Sequence, residues 1–274
     1  LATGSTPVVP PIPGSDKDGI CFGEVLVDFL AAMMEALNKA KSLLIVGCGF
    51  IGVELAEECK KQRDIEIRVV EMLRHCLQLT YDEEFSVKAE ETLRASGIEI
   101  LTDEKVEAFL GGEAVEKVRL SSGQELNVDM VLMGIGARAN TRLALDAGLE
   151  IGPTRGIQVN RYMQTSDPDI FACGDCAEKV SFFDGKPSPL KLASIAGMEA
   201  RVVGANLFGV RRANMGVIGV YSTMLGDTAF SAAGMTEVAA KERGYDVIVG
   251  VAEAMNRHPG AMGGGALLKV KLIF

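Results

Sequence analysis

The sequence predicts an α/β fold built around a parallel sheet, and three features predict it. The apolar run Leu43-Leu44-Ile45-Val46 leads into the turn Gly47-Cys48-Gly49-Phe50-Ile51-Gly52 and then a helical pattern, Val53 to Cys59. A second apolar run, Ile65 to Val70, ends on the acid Glu71. The alternation then repeats. Asp82 and Glu83 open a helix with Phe85, Ala89 and Leu93 at four-residue spacing, Gly97 stops it, and Ile98 to Leu101 gives a third parallel strand.

The glycine turn carries chemistry as well as geometry. Gly47 allows a tight turn, Gly49 leaves the backbone open to a pyrophosphate, and Gly52 lets the helix lie close on the strand. The helix start offers free N–H groups and a partial positive charge to phosphates. Glu71 follows the last glycine at the spacing where an acid binds adenine ribose hydroxyls. The same carboxylate repels a 2′-phosphate, so the pattern favours NAD(H) over NADP(H). A glycine triplet alone is weak evidence; with both strands, the helix and the spaced acid it points to a dinucleotide site.

Around this unit the chain reads in order. Residues 1–20, with Pro7, Pro10, Pro11, Pro13 and Gly14, read as an extended connector. A helix is expected from about Gly23 to Lys41, with Val25, Phe29, Met33, Ala36 and Leu37 on one face. Val106–Phe109, Val115–Leu120 and Glu125–Val128 read as an antiparallel meander, and Asp129 to Met133 returns to the sheet and meets Gly134-Ile135-Gly136. Ile135 and Gly136 then fall at the carboxyl end of a central strand, where α/β sheets bind ligands. From Thr165 a short buried strand is expected to end at Gly174-Asp175, followed by a helix of small residues from Leu192 through Gly209. Residues 217–274 read as strand, helix (Thr236–Arg243) and two further strands, Asp246–Ala252 and Leu267–Phe274.

Composition excludes several classes. A net charge of −9 and an isoelectric point near 4.9 argue against nucleic acid and anionic membrane surfaces. No apolar run reaches the ~18 residues of a membrane span. The six cysteines (Cys21, Cys48, Cys59, Cys76, Cys173, Cys176) show no disulfide framework, and a reducing cytoplasm fits them. Cys48 reads as a filler in the glycine turn. Cys173-Gly174-Asp175-Cys176 invites a redox or zinc reading, but two thiolates cannot complete a tetrahedral site and the chain has only 2 histidines, so no metal is expected. Leu1 to Gly4 reads as a strand entering a turn and Lys269 to Phe274 as mid-strand, so both ends read as cut from a longer protein.

Taken together, the Ala2-Thr3-Gly4 turn, the Gly47–Glu71 unit, Gly134-Ile135-Gly136 and Thr165…Gly174-Asp175 resemble the FAD-dependent pyridine nucleotide-disulfide oxidoreductases. His258-Pro259-Gly260-Ala261 and Lys269-Val270-Lys271-Leu272 make the NADH oxidase and coenzyme A-disulfide reductase branch the nearer resemblance. The resemblance implies a Rossmann-like NAD(P)-binding domain with a β-meander crossover, part of an FAD-binding domain and part of an α+β dimerisation domain. The corresponding boundaries are a residual FAD-domain segment and connector at 1–22, an NAD(P)-binding domain at 23–155, a second FAD-domain segment at 156–212 and a truncated dimerisation domain at 213–274. It also implies NADH passing hydride to FAD and on to a small-molecule disulfide, coenzyme A disulfide-like, or dioxygen, in a cytoplasmic homodimer. No catalytic residue is expected within this chain, because the family carries its redox cysteine upstream, and the chain alone is expected not to turn over.

By the same resemblance, Gly47, Gly49, Phe50, Ile51, Gly52, Glu54, Glu71, Ile135, Gly136, Gly174 and Asp175 are the expected cofactor-binding residues. Phe50 takes the place of a Tyr that covers the flavin and swings aside for nicotinamide, or is a packing residue at the turn. Glu54 points towards flavin and nicotinamide, or is a solvated helix acid. Asp175 accepts a hydrogen bond from the flavin ribityl chain, or is an ordinary turn aspartate. His258 corresponds to a base offered to a partner subunit, or is a surface histidine before proline. Two other readings stay open: a ferredoxin or rubredoxin-type reductase with a protein acceptor, and a non-catalytic nucleotide-binding module.

Overall fold

The computed structural model describes residues 1–23, 27–258 and 263–274. In chain order the first half comprises β1 (Ser5–Pro7), β2 (Ile20–Cys21), α1 (Val27–Lys39), β3 (Ser42–Val46), α2 (Phe50–Gln62), β4 (Glu66–Val70), α3 (Glu83–Ala95), β5 (Ile98–Leu101), β6 (Val106–Leu110), β7 (Lys117–Leu120), β8 (Glu125–Asn127), β9 (Met130–Met133), β10 (Ala137–Ala139) and α4 (Arg142–Asp146). A 3-10 turn follows at Gly174–Cys176, then β11 (Lys179–Val180), β12 (Pro187–Ser188), α5 (Ala193–Asn206), β13 (Val220–Leu225), β14 (Thr228–Ala233), α6 (Glu237–Glu242), β15 (Val249–Met255) and β16 (Leu267–Ile273).

The central sheet is parallel, in the order β2-β9-β3-β4-β5. Its middle strands β3 and β9 are apolar on both faces, as strands covered on both sides require, whereas β4 and β5 carry the ion-paired Arg68 and Glu99 on one face. Leu43 and Ile45 of β3 face one core, with Val53 and Ala56 of α2 and Ala89 and Leu93 of α3. Leu44 and Val46 face a second core made with Phe109, Val118 and Leu120 of the antiparallel meander β6-β7-β8. A third core gathers Ala144, Leu149, Ile157, Met163, Ala172 and Val202 around the 3-10 turn and α5. The meander and the third strand at Ile98–Leu101 lie where the apolar periodicity puts them. On α1 the expected inner face holds for Met33 and Leu37, which are buried, and for half-buried Phe29, while Ala36 is exposed. Val25 lies outside the described residues.

Three expectations need correction. Residues 1–20 are not a bare connector: β1 pairs with β10, and Ile20-Cys21 adds a parallel edge strand against Val131-Leu132. Proline density hid these short pairings, since a strand edge tolerates the missing N–H. The segment before Gly174 is not a regular strand. Only isolated bridges form there, Gln164 with Phe171 and Ile157 with Ala177, and the chain turns at Gly174–Cys176. The apolar run here fills the third core without a ladder partner. Finally, Cys48 and Cys76 form a disulfide with Cα atoms 4.8 Å apart. The absence of a cysteine spacing pattern concealed it, because the pairing is made by the fold and not by neighbours in sequence.

Candidate functional site

The loop after β3 closes tightly. Gly47 has φ of +100° and donates its N–H to the Val70 carbonyl at 2.8 Å. A side chain at Gly52 would run into the Gly47 carbonyl oxygen, so α2 can sit this close to β3 only with glycine there. Over Gly49 nothing lies within 4 Å of where a Cβ would be, which leaves the backbone open on that side. Gly49 is also the N-cap of α2; no side chain caps this end and its first turn carries no acid, whereas Lys60 and Lys61 lie in the last turn. The helix therefore presents free N–H groups and the positive end of its dipole at the open glycine face.

Glu71 stands at the end of β4 beside this loop. Its Oε2 accepts the Cys48 N–H at 2.7 Å and its Oε1 accepts the Leu73 N–H at 2.9 Å. Each carboxylate oxygen can accept more than one hydrogen bond, so the half-buried acid is held in place while keeping capacity for a ligand hydroxyl. Strand pairing sets the second glycine turn alongside: Val46 of β3 is in register with Met133 of β9, and Gly134 donates its N–H to the Val46 carbonyl at 2.7 Å. Ile135 and Gly136 follow, both exposed, at the same sheet edge as Gly47 and Gly49.

A further corner brings together parts distant in sequence. The β1–β10 pair carries Ser5 to Asp175, whose Oδ2 accepts the Ser5 hydroxyl at 2.8 Å. Leu1 donates its N–H to the Phe171 carbonyl and accepts the Cys173 N–H. Behind Gly174 lies a buried ion pair, Lys179 with Glu199 at 3.0 Å. Glu199 Oε2 accepts the Gly174 N–H at 2.9 Å, and Lys179 donates to the Gly174 and Ala177 carbonyls. Burial pushes the Glu199 carboxyl above its usual range against the pull of Lys179. These residues fix the turn that presents Asp175. Its Oδ1 has no hydrogen-bond partner among the described residues.

Other expected site residues are placed differently. Phe50 stacks on Tyr221 (5.3 Å between ring centroids) and meets Tyr81 edge-on at 5.9 Å. Glu54 Oε1 accepts the Thr223 hydroxyl at 2.8 Å. Glu57, one turn on and buried, accepts the Gly226 N–H. The β13–β14 hairpin is therefore seated on α2, and the chain's own residues meet Phe50 and Glu54. Ile51 is exposed at the first turn of α2. Cys173 and Cys176 remain free thiols; Cys176 Sγ donates to the Cys173 carbonyl at 3.3 Å, and burial raises the Cys173 thiol. His258 is exposed, and Pro259, Gly260 and Ala261 lie outside the described residues. Sequence reasoning missed Ser5, Cys76, Lys179 and Glu199. None of them carries a local signal, because each has a partner at least 20 residues away: Asp175 for Ser5, Cys48 for Cys76, and Lys179 and Glu199 for each other.

An open glycine backbone, an uncapped helix start and a clamped acid thus lie together at one end of the parallel sheet of an α/β protein. The pyridine nucleotide-disulphide oxidoreductase family profile matches residues 1–200, and the chain belongs to this family. It is 34% identical over its full length to an NADH oxidase of Methanocaldococcus jannaschii, of which it spans 60%. Among solved structures it is similar to a NAD-dependent persulfide reductase from A. fulgidus (TM-score 0.94, 32% identity, 99% of this chain and 50% of that one). It is also similar to the water-forming NADH oxidase of Lactobacillus brevis bound to NADH (TM-score 0.93, 27% identity, 100% of this chain and 60% of that one). The chain thus spans about half to three-fifths of the proteins it matches. Among the described residues no helix is long and apolar enough to cross a membrane.

Proposed function

We propose that this chain is the NADH-binding portion of an FAD-dependent oxidoreductase that delivers electrons from NADH to a small-molecule disulfide, coenzyme A disulfide-like, or to dioxygen. The observation that carries the reading is Glu71, clamped by Cys48 and Leu73 N–H groups beside the open Gly49 face. The free N–H groups at the start of α2 would hold the pyrophosphate, Glu71 would accept the adenine ribose hydroxyls, and Ile135 and Gly136 would border the nicotinamide half. Asp175, held by Ser5 through one oxygen and free at the other, fits a hydroxyl of the flavin ribityl chain. When bound, the nicotinamide supplies a hydride and the flavin takes it up. The chain's own part is orientation: Lys179 and Glu199 hold the Gly174-Asp175 turn, and the Gly47–Gly134 contact sets the two glycine turns side by side.

The named relatives support an acceptor that is small. The assembly we infer is a homodimer, supported by the β15–β16 hairpin, which leaves Val251, Leu267, Leu268, Leu272 and Phe274 exposed; sedimentation at micromolar concentration tests it. The cytoplasm is the compartment that fits four cysteines held as free thiols. The test of the main reading is calorimetric titration with NADH and NADPH. NADH should bind at least about tenfold more tightly, because a 2′-phosphate would meet the Glu71 carboxylate and like charges brought together cost binding energy. Glu71→Gln should erase most of that preference. Equal affinities in the unaltered chain would overturn the role given to Glu71.

A further inference from the structure

A cystine sits inside the candidate dinucleotide site, and the proposed hydride path does not use it. Cys48 lies between Gly47 and Gly49, and Cys76 lies five residues beyond Glu71. They are 28 residues apart in sequence, bonded to each other and fully buried. The bond ties the phosphate turn to the segment that follows the ribose acid. Those are the two pieces of backbone that supply the N–H groups clamping Glu71, one from Cys48 and one from Leu73. One further bond reinforces the tie, from the Leu77 N–H to the Cys48 carbonyl at 2.9 Å, while the Cys76 N–H is anchored to Glu90 Oε1 of α3 at 2.9 Å. Leu77, next to the cystine, has φ of +58°, a left-handed conformation that costs a bulky side chain energy and persists only where the surroundings impose it.

We propose that Cys48–Cys76 is a thiol–disulfide exchange site that governs dinucleotide binding: the cystine holds the Glu71 cradle in its binding shape, and reduction releases it. The reductant is a dithiol. Its first thiolate attacks one sulfur and expels the other cysteine as thiolate, giving a mixed disulfide. Its second thiol then displaces the remaining cysteine. The net change is two electrons and two protons gained by the protein, which ends with two thiols, while the dithiol leaves as a cyclic disulfide. Because both sulfurs are buried, attack requires the turn to open. A ligand that holds the turn closed should therefore slow reduction; separately, a ligand that binds the oxidised form more tightly makes the cystine harder to reduce at equilibrium, and by linkage reduction weakens that ligand by the same factor.

The inference rests on the reading that Gly47–Glu71 binds NADH, and the experiment separates the two. Peptide mapping of the air-exposed chain without reductant should find Cys48 joined to Cys76; finding both as free thiols overturns the proposal. NADH affinity is then measured by calorimetry before reduction with dithiothreitol, after it, and after re-oxidation. The reduced form should bind about fivefold or more weakly, the low end of typical couplings between sites, and re-oxidation should restore the affinity. The Cys48→Ser/Cys76→Ser double variant should bind like the reduced form and ignore dithiothreitol. Saturating NADH should slow the reduction of the unaltered chain. Equal NADH affinity in the two redox forms refutes the switch and leaves the NADH reading standing. No NADH binding in either form, with the cystine intact, refutes the NADH reading and the switch with it. Reversible reduction of the unaltered chain keeps the test decisive if the double variant fails to fold.

Discussion

At Gly52 a single methyl group decides whether the site exists. The carbonyl oxygen of Gly47 occupies the place a Cβ would take, and backbone cannot step aside as a flexible side chain can. Gly52→Ala should therefore push α2 off β3, lower stability by about 1–3 kcal/mol as overpacking does, and weaken NADH at least about tenfold. Thermal unfolding and NADH titration check both, and a variant that binds as the unaltered chain does would show that the close approach is not needed. Gly52 was legible from the sequence because its spacing from Gly47 and Glu71 is local. Cys48 was not: its partner, Cys76, comes within bonding reach only when β4 and the loop after it fold back past the turn. Ser5 escaped for the same reason, since its bond to Asp175 spans 170 positions.

Among the elements, strands β3, β4, β5 and β9, the meander and helices α2 and α3 were readable from apolar runs and their spacing, and α5 from its run of small residues. What was hidden is how elements from different parts of the chain meet. Residues 217–235 gave a strand signal, but not that a whole hairpin, β13–β14, would place Leu225 and Phe230 in the core under α2 and α3. The same limit applies to α5 and the 3-10 turn, joined by Lys179 and Glu199, both almost fully buried. Removing one partner of a buried pair leaves a charge without compensation, which costs about 3–5 kcal/mol. Lys179→Met should lower stability by about that amount, and the double variant Lys179→Met/Glu199→Gln should recover much of it. Chemical denaturation of the two single variants and the double gives the coupling. A Lys179→Met variant as stable as the unaltered chain would mean that Glu199 sheds its charge without cost.

For the molecule as a whole, the join that acid should open is the one between the C-terminal hairpin and α3. Lys271 of β16 reaches Glu237 at 2.8 Å, Glu84 at 2.9 Å and Asp82 at 3.2 Å. Asp82 is the N-cap of α3, yet its side chain makes no cap bond; it accepts the Glu237 N–H instead. Hydrogen bonds from Lys241 and then Lys271 hold the Glu237 carboxyl down from its ordinary 4.5 to about 2. The three carboxylates outweigh burial and raise the Lys271 ammonium. A carboxyl depressed in the folded state contributes stability that is complete above its unfolded value and fades as pH falls through the folded one. The window here runs from about 4.5 down to about 2; Lys271 stays charged throughout, so its own titration adds nothing in that range. Hydrogen exchange of β15 and β16, corrected for intrinsic rates, should show protection lost as pH falls through this window while the parallel sheet keeps its own. Lys271→Met should give a hairpin already less protected at neutral pH and much less sensitive to acid. A hairpin equally protected at both ends of the window would mean that the apolar contacts of β16, not its lysine, hold it in place.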